Sequence, residues 1–169
     1  SLSLQALAEC DLVIEAVFEN MAIKKEIFAK LDAICKPGAV LASNTSGLPI
    51  HKLAEGLPAE RHERFCGVHF FNPPRYMHLV ELIPIRATSP AILEALESFL
   101  TTTLGKGVVR AKDTPNFIGN RIGVFSMLAT MYHTEKFGLG FDVVDALTGP
   151  AIGRPKSATY RTADVVGLD

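Results

Sequence analysis

The sequence predicts an α/β fold built on a doubly wound sheet, followed by a helical region. Residues 11–18 (DLVIEAVF) form a nearly continuous apolar run, as in a strand that is covered on both faces. An amphipathic helical pattern follows over residues 23–34, and a second short apolar run covers residues 39–42. Strand, helix and strand in this order are typical of doubly wound α/β domains.

Local signals set the bounds of these elements. Asn20 is the predicted N-cap of the first helix, and Pro37-Gly38 ends that helix. The next elements are a short helix over 49–55, strands over 65–71 and 79–85, a helix from Ser89-Pro90 to Gly105 and a strand at Val108-Val109.

The sequence pattern changes after Thr114-Pro115. A long helical pattern runs from Phe117 to Tyr132, and a second helix begins at Phe141-Asp142. We therefore predict two domains, residues 1–114 and residues 115–169.

The composition excludes several classes of protein. The 169 residues carry 17 basic and 18 acidic side chains, a net charge of −1, so no surface for nucleic acid or an anionic membrane is expected. No apolar run reaches the ~18–20 residues of a membrane span. Three Cys at irregular spacing favour reduced thiols in a cytoplasm-like compartment over a disulfide scaffold. The five His show no metal-ligand spacing, so no metal site is predicted.

The most informative pair is His69 and Glu81. A hairpin centred on Arg75 places them directly opposite each other on an otherwise apolar face, with Cβ atoms ~4.5–5.5 Å apart. A carboxylate holds an imidazole in one tautomer and stabilises its protonated form, as a general base near neutral pH requires. A solvated cross-strand pair is the structural alternative, and a register slip of one residue would separate the two side chains.

Other polar residues are weaker candidates by themselves. Ser43-Asn44-Thr45-Ser46-Gly47 follows a predicted buried strand, where ligands bind in open α/β sheets, although such clusters are often only turns. Asn120, at the start of an apolar helix, is by default a structural hydrogen-bonding residue. Glu19 and Lys24, near the start of the first helix, are by default a solvated ion pair. Cys66 and His69 fall on opposite faces of a strand, which argues against a thiolate–imidazole couple.

A set of strings resembles the 3-hydroxyacyl-CoA dehydrogenases of fatty-acid β-oxidation. The strings are DLVIEAVFEN (11–20), SNTSG (43–47), RFCGVHFFNPP (64–74), LVELI (79–83) and KDTPNFIGNRIG (112–123). The ending over residues 149–169 is similar to the bacterial multifunctional type. The resemblance implies the second half of a Rossmann-like doubly wound sheet, followed by the first helices of an all-α substrate and dimerisation domain.

The resemblance also implies a reaction and its residues. The reaction is NAD-dependent oxidation of an L-3-hydroxyacyl-CoA, with His69 as catalytic base and Glu81 as the carboxylate that orients it. Ser46 and Asn120 match substrate-binding positions, and Glu19, Lys24, Asn44 and Asn72 match positions that line the cofactor. The implied partners are an acyl-CoA and either a second copy or a multifunctional β-oxidation chain in a bacterial cytoplasm.

The chain departs from the family's pattern in its cofactor domain. The sequence has no G-x-G-x-x-G turn, on which pyrophosphate binding depends, so we expect an internal fragment that holds NAD poorly by itself. Two alternatives remain: a related hydroxy-acid dehydrogenase, and a non-catalytic structural protein on the same scaffold.

Overall fold

The computed structural model describes residues 3–167 and divides the chain into two compact units. The first unit is Ser1–Ile118, and the second is Gly119–Asp169.

A five-stranded sheet forms the centre of the first unit. Its strands are β1 (Leu12–Glu15), β2 (Val40–Ser43), β3 (Phe65–Phe70), β4 (Leu79–Pro84) and β5 (Gly107–Arg110), and they lie in that order across the sheet. Strands β3 and β4 pair antiparallel, whereas the other three neighbouring pairs are parallel.

Strand β1 is shorter than the predicted run of residues 11–18. It ends at Glu15, whose side chain accepts a hydrogen bond from the backbone N–H of Val17 at 2.7 Å. This local bond turns the chain out of the sheet, since a side-chain acceptor competes with the strand ladder for the same donor.

Among the described residues of the first unit, the α-helices are α1 (Met21–Ile34), α2 (Ile50–Ala54) and α3 (Pro90–Ser98). The predicted cap of α1 is confirmed, because Asn20 Oδ1 accepts from the N–H groups of Ala22 and Ile23 at 3.0 and 3.1 Å. A π-helical turn, Phe99–Thr103, extends α3, and the chain then leaves the helix through Gly105 at a φ of 65°.

The two faces of the sheet carry separate apolar clusters, as a doubly wound fold requires. One face packs with α1 and α2 and includes Val13, Leu41, Phe65, Ile83, Phe28, Leu31, Ile50 and Leu53. The other face packs with α3 and includes Val40, Ala42, Cys66, Val68, Val80, Leu82, Leu93 and Leu96. Alternation along each strand sends successive side chains to opposite clusters.

The second unit is helical, with α4 (Gly119–Phe137), α5 (Phe141–Thr148) and α6 (Tyr160–Val166). Phe117 and Ile118, predicted as the start of the long helix, belong to the first unit instead. Phe117 has a φ of 46° and is buried in the first apolar cluster, so the helix begins two residues later. No helix within residues 3–167 is long and apolar enough to cross a lipid bilayer.

Candidate active site

Polar side chains collect on one face of the sheet, where β1, β2 and β3 end. Glu15, Ser43 and His69 lie on that face, near the carboxyl ends of these three strands. Glu81 lies beside His69, because β4 runs antiparallel and begins where β3 ends. The edge at which open α/β sheets bind ligands is therefore polar in an otherwise apolar layer.

His69 and Glu81 form a buried hydrogen-bonded pair. They are direct partners in the β3–β4 register, as the hairpin argument predicted, and Nδ1 of His69 lies 2.7 Å from Oε2 of Glu81. The residues are 4% and 0% exposed. The alternative of a solvated cross-strand pair is therefore wrong, and the carboxylate is stabilised by its partners rather than by water.

The second oxygen of Glu81 and the imidazole ring make further contacts. Oε1 of Glu81 accepts the backbone N–H of Ile118 at 2.9 Å. The imidazole centroid lies 4.5 Å from the ring centroid of Phe71 and 5.7 Å from that of Phe117. These contacts restrain the ring through two aromatic neighbours and through Nδ1.

This arrangement engages Nδ1 of His69 and leaves Nε2 as the second ring nitrogen of the imidazole. Every buried side-chain nitrogen and oxygen in residues 3–167 has a hydrogen-bond partner, and within that range the only hydrogen bond of the imidazole is the one at Nδ1. Nε2 is therefore accessible from outside. When one nitrogen of an imidazole donates a hydrogen bond to a carboxylate, the other ring nitrogen is suited to accept a proton.

Glu19 organises the turn at residues 43–47. Its Oε1 accepts the backbone N–H groups of Ser46 and Gly47 at 3.0 and 3.1 Å, and it also accepts the hydroxyl of Thr45. Partial burial by itself would raise the pKa of Glu19, but these hydrogen bonds and the charge of Lys24 together lower it. A carboxylate thus fixes the backbone of Ser46, which is an exposed residue.

Lys24 is part of a buried ionic network, and the expectation of a solvated Glu19–Lys24 pair is wrong. The Lys24 ammonium is 2.6 Å from Oε1 of Glu15, 3.0 Å from the carbonyl oxygen of Val17 and 3.4 Å from Oε2 of Glu19. Its side chain is 1% exposed. The Ser43 hydroxyl donates to Oε2 of Glu15 at 2.7 Å, so the network joins the ends of β1 and β2.

The remaining predicted positions differ in their surroundings. The Oδ1 of Asn44 accepts the backbone N–H of Phe70 at 2.8 Å, which ties the turn to the residue after His69. Asn72 is exposed in the loop between β3 and β4. Asn120 is the second residue of α4, in the second unit.

Cys66 is not part of this site. It lies in the apolar cluster on the opposite face of the sheet from His69, and burial raises the pKa of its thiol to about 12. A buried thiol of this kind stays protonated, in agreement with the sequence argument against a Cys–His couple.

Three residues of the site region were not singled out from the sequence. Glu15 ends a buried strand and carries the network with Lys24, and its signal was a single charge within an otherwise apolar strand. Asp113 contacts α2, and Phe117 contacts His69. Both residues lie in a segment that is distant in sequence from α2 and from His69. No local pattern indicated these contacts.

Known proteins resemble this chain along nearly its whole length. Residues 1–114 match the family described as 3-hydroxyacyl-CoA dehydrogenase, NAD binding domain. A protein of Bacillus subtilis named as a probable 3-hydroxyacyl-CoA dehydrogenase is 52% identical over 165 residues, which is 98% of this chain. A protein of Rickettsia prowazekii named as a fatty acid oxidation complex trifunctional enzyme is 39% identical over 166 residues, again 98% of the chain.

A solved structure agrees with the fold. The crystal structure of (S)-3-hydroxybutyryl-CoA dehydrogenase from Ralstonia eutropha superposes on the whole chain with a TM-score of 0.87 and 34% identity. This chain spans 58% of that protein, 21% of the Bacillus protein and 23% of the Rickettsia protein.

Proposed function

This chain belongs to the 3-hydroxyacyl-CoA dehydrogenase family, and on that premise we propose that it carries the proton-transfer centre of an L-3-hydroxyacyl-CoA dehydrogenase. The observation that carries the proposal is the buried His69–Glu81 pair with Nε2 of His69 left accessible. The reaction converts the C3 hydroxyl of an acyl-CoA to a ketone.

His69 acts as the general base. As the C3–H bond breaks and its electron pair leaves as hydride, Nε2 takes the proton of the C3 hydroxyl, and the carbon–oxygen double bond forms. When bound, NAD⁺ supplies the acceptor for that hydride. Glu81 compensates the positive charge that develops on the imidazole, since its Oε2 is already in contact with Nδ1.

Ser46 and Asn120 position the substrate in this proposal. The hydroxyl of Ser46 donates to the substrate oxygen near C3, on a turn whose backbone is held by Glu19. Asn120, the second residue of α4, is included because it matches a substrate-binding position of the family. Holding the reacting oxygen near Nε2 accelerates the transfer by orientation.

The residues present fit the nicotinamide end of a dinucleotide. Asn44 has its Oδ1 engaged by Phe70 N–H, so its NH₂ group is the donor that a carboxamide or carbonyl oxygen accepts from. Asn72 is the exposed amide in the neighbouring loop. Lys24 and Glu19 act indirectly, because the Lys24 ammonium is buried against protein oxygens and Glu19 holds the turn.

We place the reaction in fatty-acid β-oxidation, in a homodimer or a multifunctional chain. The name of the Rickettsia relative, a trifunctional enzyme of a fatty acid oxidation complex, supports this context. The family indicates an acyl-CoA thioester as the substrate class. A free hydroxy acid would need residues that recognise its carboxylate, and the proposed site residues include no group assigned to that role.

The test is steady-state kinetics on the whole gene product that carries this chain. With NAD⁺ and L-3-hydroxybutyryl-CoA, H69Q should lower kcat by about 10²–10⁴-fold with KM changed by less than about threefold. H62Q is the matched control, because His62 contacts only the carbonyls of Ala54 and Leu57 among its hydrogen bonds in residues 3–167. An H69Q enzyme as fast as H62Q contradicts the proposal, and turnover of free 3-hydroxybutyrate instead of the thioester contradicts the substrate class.

A further inference from the structure

The segment between β5 and α4, residues 113–118, touches three parts of the first unit. Asp113 accepts the backbone N–H groups of Ile50 and His51 at 2.9 and 2.8 Å, and its Oδ2 lies 2.5 Å from Nδ1 of His51. Its carboxylate therefore holds the start of α2, directly after the turn that contains Ser46. We refer to residues 113–118 as the strap.

The other end of the strap contacts the His69–Glu81 pair. Phe117 is 2% exposed and lies against the His69 ring, and the next residue, Ile118, donates its N–H to Oε1 of Glu81. Between these two ends, Oδ1 of Asn116 lies 3.5 Å from the position that a Cβ on Gly47 would take. One short segment thus touches both the substrate-binding turn and the proposed base.

The backbone of the strap is in a conformation that needs external support. Asn116 and Phe117 have φ values of 61° and 46°. These values lie in the left-handed region, which residues other than glycine adopt uncommonly. Such residues persist only where surrounding contacts determine them, and they concentrate at functional sites. Here the supporting contacts are the Asp113 carboxylate at one end and burial of Phe117 with the Ile118–Glu81 bond at the other.

We propose that Asp113 is a positioning residue for the dehydrogenase reaction, an inference that rests on the proposed function. By fixing the strap to α2, Asp113 keeps Ile118 N–H on Glu81 and the Phe117 ring on His69. Release of the strap lets the left-handed residues relax and removes the Ile118 N–H from the Glu81 carboxylate. The imidazole then loses orientation, while the turn that contains Ser46 is still held by the Glu19 carboxylate.

The test compares D113N and D113A with a matched control in the whole gene product that carries this chain. Asp145 in the second unit is the control, because its carboxylate also accepts backbone N–H groups, those of Thr159, Tyr160 and Arg161 at 2.7–3.2 Å. D113A should lower kcat about 10- to 100-fold with KM within about threefold, the size expected for a displacement of about 1 Å at the reacting groups. D113N keeps one acceptor oxygen and should fall between D113A and wild type, whereas D145N should leave kcat unchanged.

A second readout is independent of turnover. The ¹H NMR resonance of the proton between His69 Nδ1 and Glu81 should shift or broaden in D113A and remain in place in D145N. If D113A keeps the kcat and this resonance of wild type while H69Q is inactive, the positioning role is wrong and the proposed function stands. If wild type itself does not oxidise the thioester, the proposed function fails first.

Discussion

Replacement of Lys24 by Met tests whether the site is built on a buried, compensated charge. Met preserves most of the length and the apolar stem of the side chain but removes the ammonium that contacts Glu15, the Val17 carbonyl and Glu19. Removing one partner of a buried ion pair costs about 3–5 kcal/mol, because the other charge is left uncompensated. Glu15 keeps two donors, Ser43 Oγ and Val17 N–H, so we expect K24M to lower the free energy of unfolding by about 3 kcal/mol, the lower end of that range.

The pair Glu26–Lys30 supplies a control with the same geometry in a different environment. Its N–O distance is 2.6 Å, equal to that of Glu15–Lys24, but its side chains are 66% and 52% exposed, whereas those of Glu15 and Lys24 are each 1% exposed. K30M should therefore cost no more than about 0.5 kcal/mol.

Urea unfolding followed by circular dichroism measures both variants, since the chain has no Trp for fluorescence. E15Q combined with K24M should recover part of the loss, because the double variant leaves no buried charge in that pair. If the free energies of unfolding of K24M and K30M differ by less than about 0.5 kcal/mol, the buried charge of Lys24 does not contribute as argued.

Two further predictions concern packing and pH. Gly67→Ala should lower the free energy of unfolding by about 1–3 kcal/mol, because the new Cβ would lie 2.9 Å from Ile50 Cδ1 and 3.0 Å from Ile83 Cδ1. Gly38→Ala, which meets nothing within 4 Å, should stay within about 0.5 kcal/mol in the same urea assay, and equal costs for the two would contradict the packing argument. Glu19 has a folded-state pKa below its ordinary value of 4.5, so its carboxylate contributes stability that is present above that value and is lost as pH falls through the folded pKa. Thermal unfolding from pH 7 to pH 3 should show E19Q less stable than wild type at pH 7, with a difference that shrinks below pH 4.5. A difference that does not change with pH would count against this role of Glu19.

The His69–Glu81 pair could be predicted because its determinants are local. A short connection joins β3 to β4, and alternating apolar residues on both strands select one register, which the structure confirms from Cys66–Pro84 to Phe70–Val80. Once the register is known, the opposing side chains follow from strand geometry alone. The end of α1 and its Asn20 cap were predictable for the same reason.

The burial of Lys24 could not be predicted from its neighbours in sequence. On a helical pattern it reads as one of several charged residues on a solvated face, beside Lys25 and Glu26. Its burial depends on Glu15, which is nine positions earlier, and on Glu19 at the end of the turn. A charge is buried only where its partners are present, and those partners are brought together by the packing of α1 against β1.

The sequence by itself determined the fold class, the strand register at the proposed base and the family, because periodicity, turn residues and ordered motifs are properties of short segments. The tertiary structure alone decided which polar groups are buried and which are exposed. Glu19 is bonded to residues 26–28 positions away, and Lys24 to a residue 9 positions away. Asp113 is bonded to residues 62–63 positions away. Contacts of this separation follow from how the elements pack rather than from any local pattern. The resemblance places Lys24 among the positions that line the cofactor, and the tertiary structure adds that its ammonium is buried against Glu15.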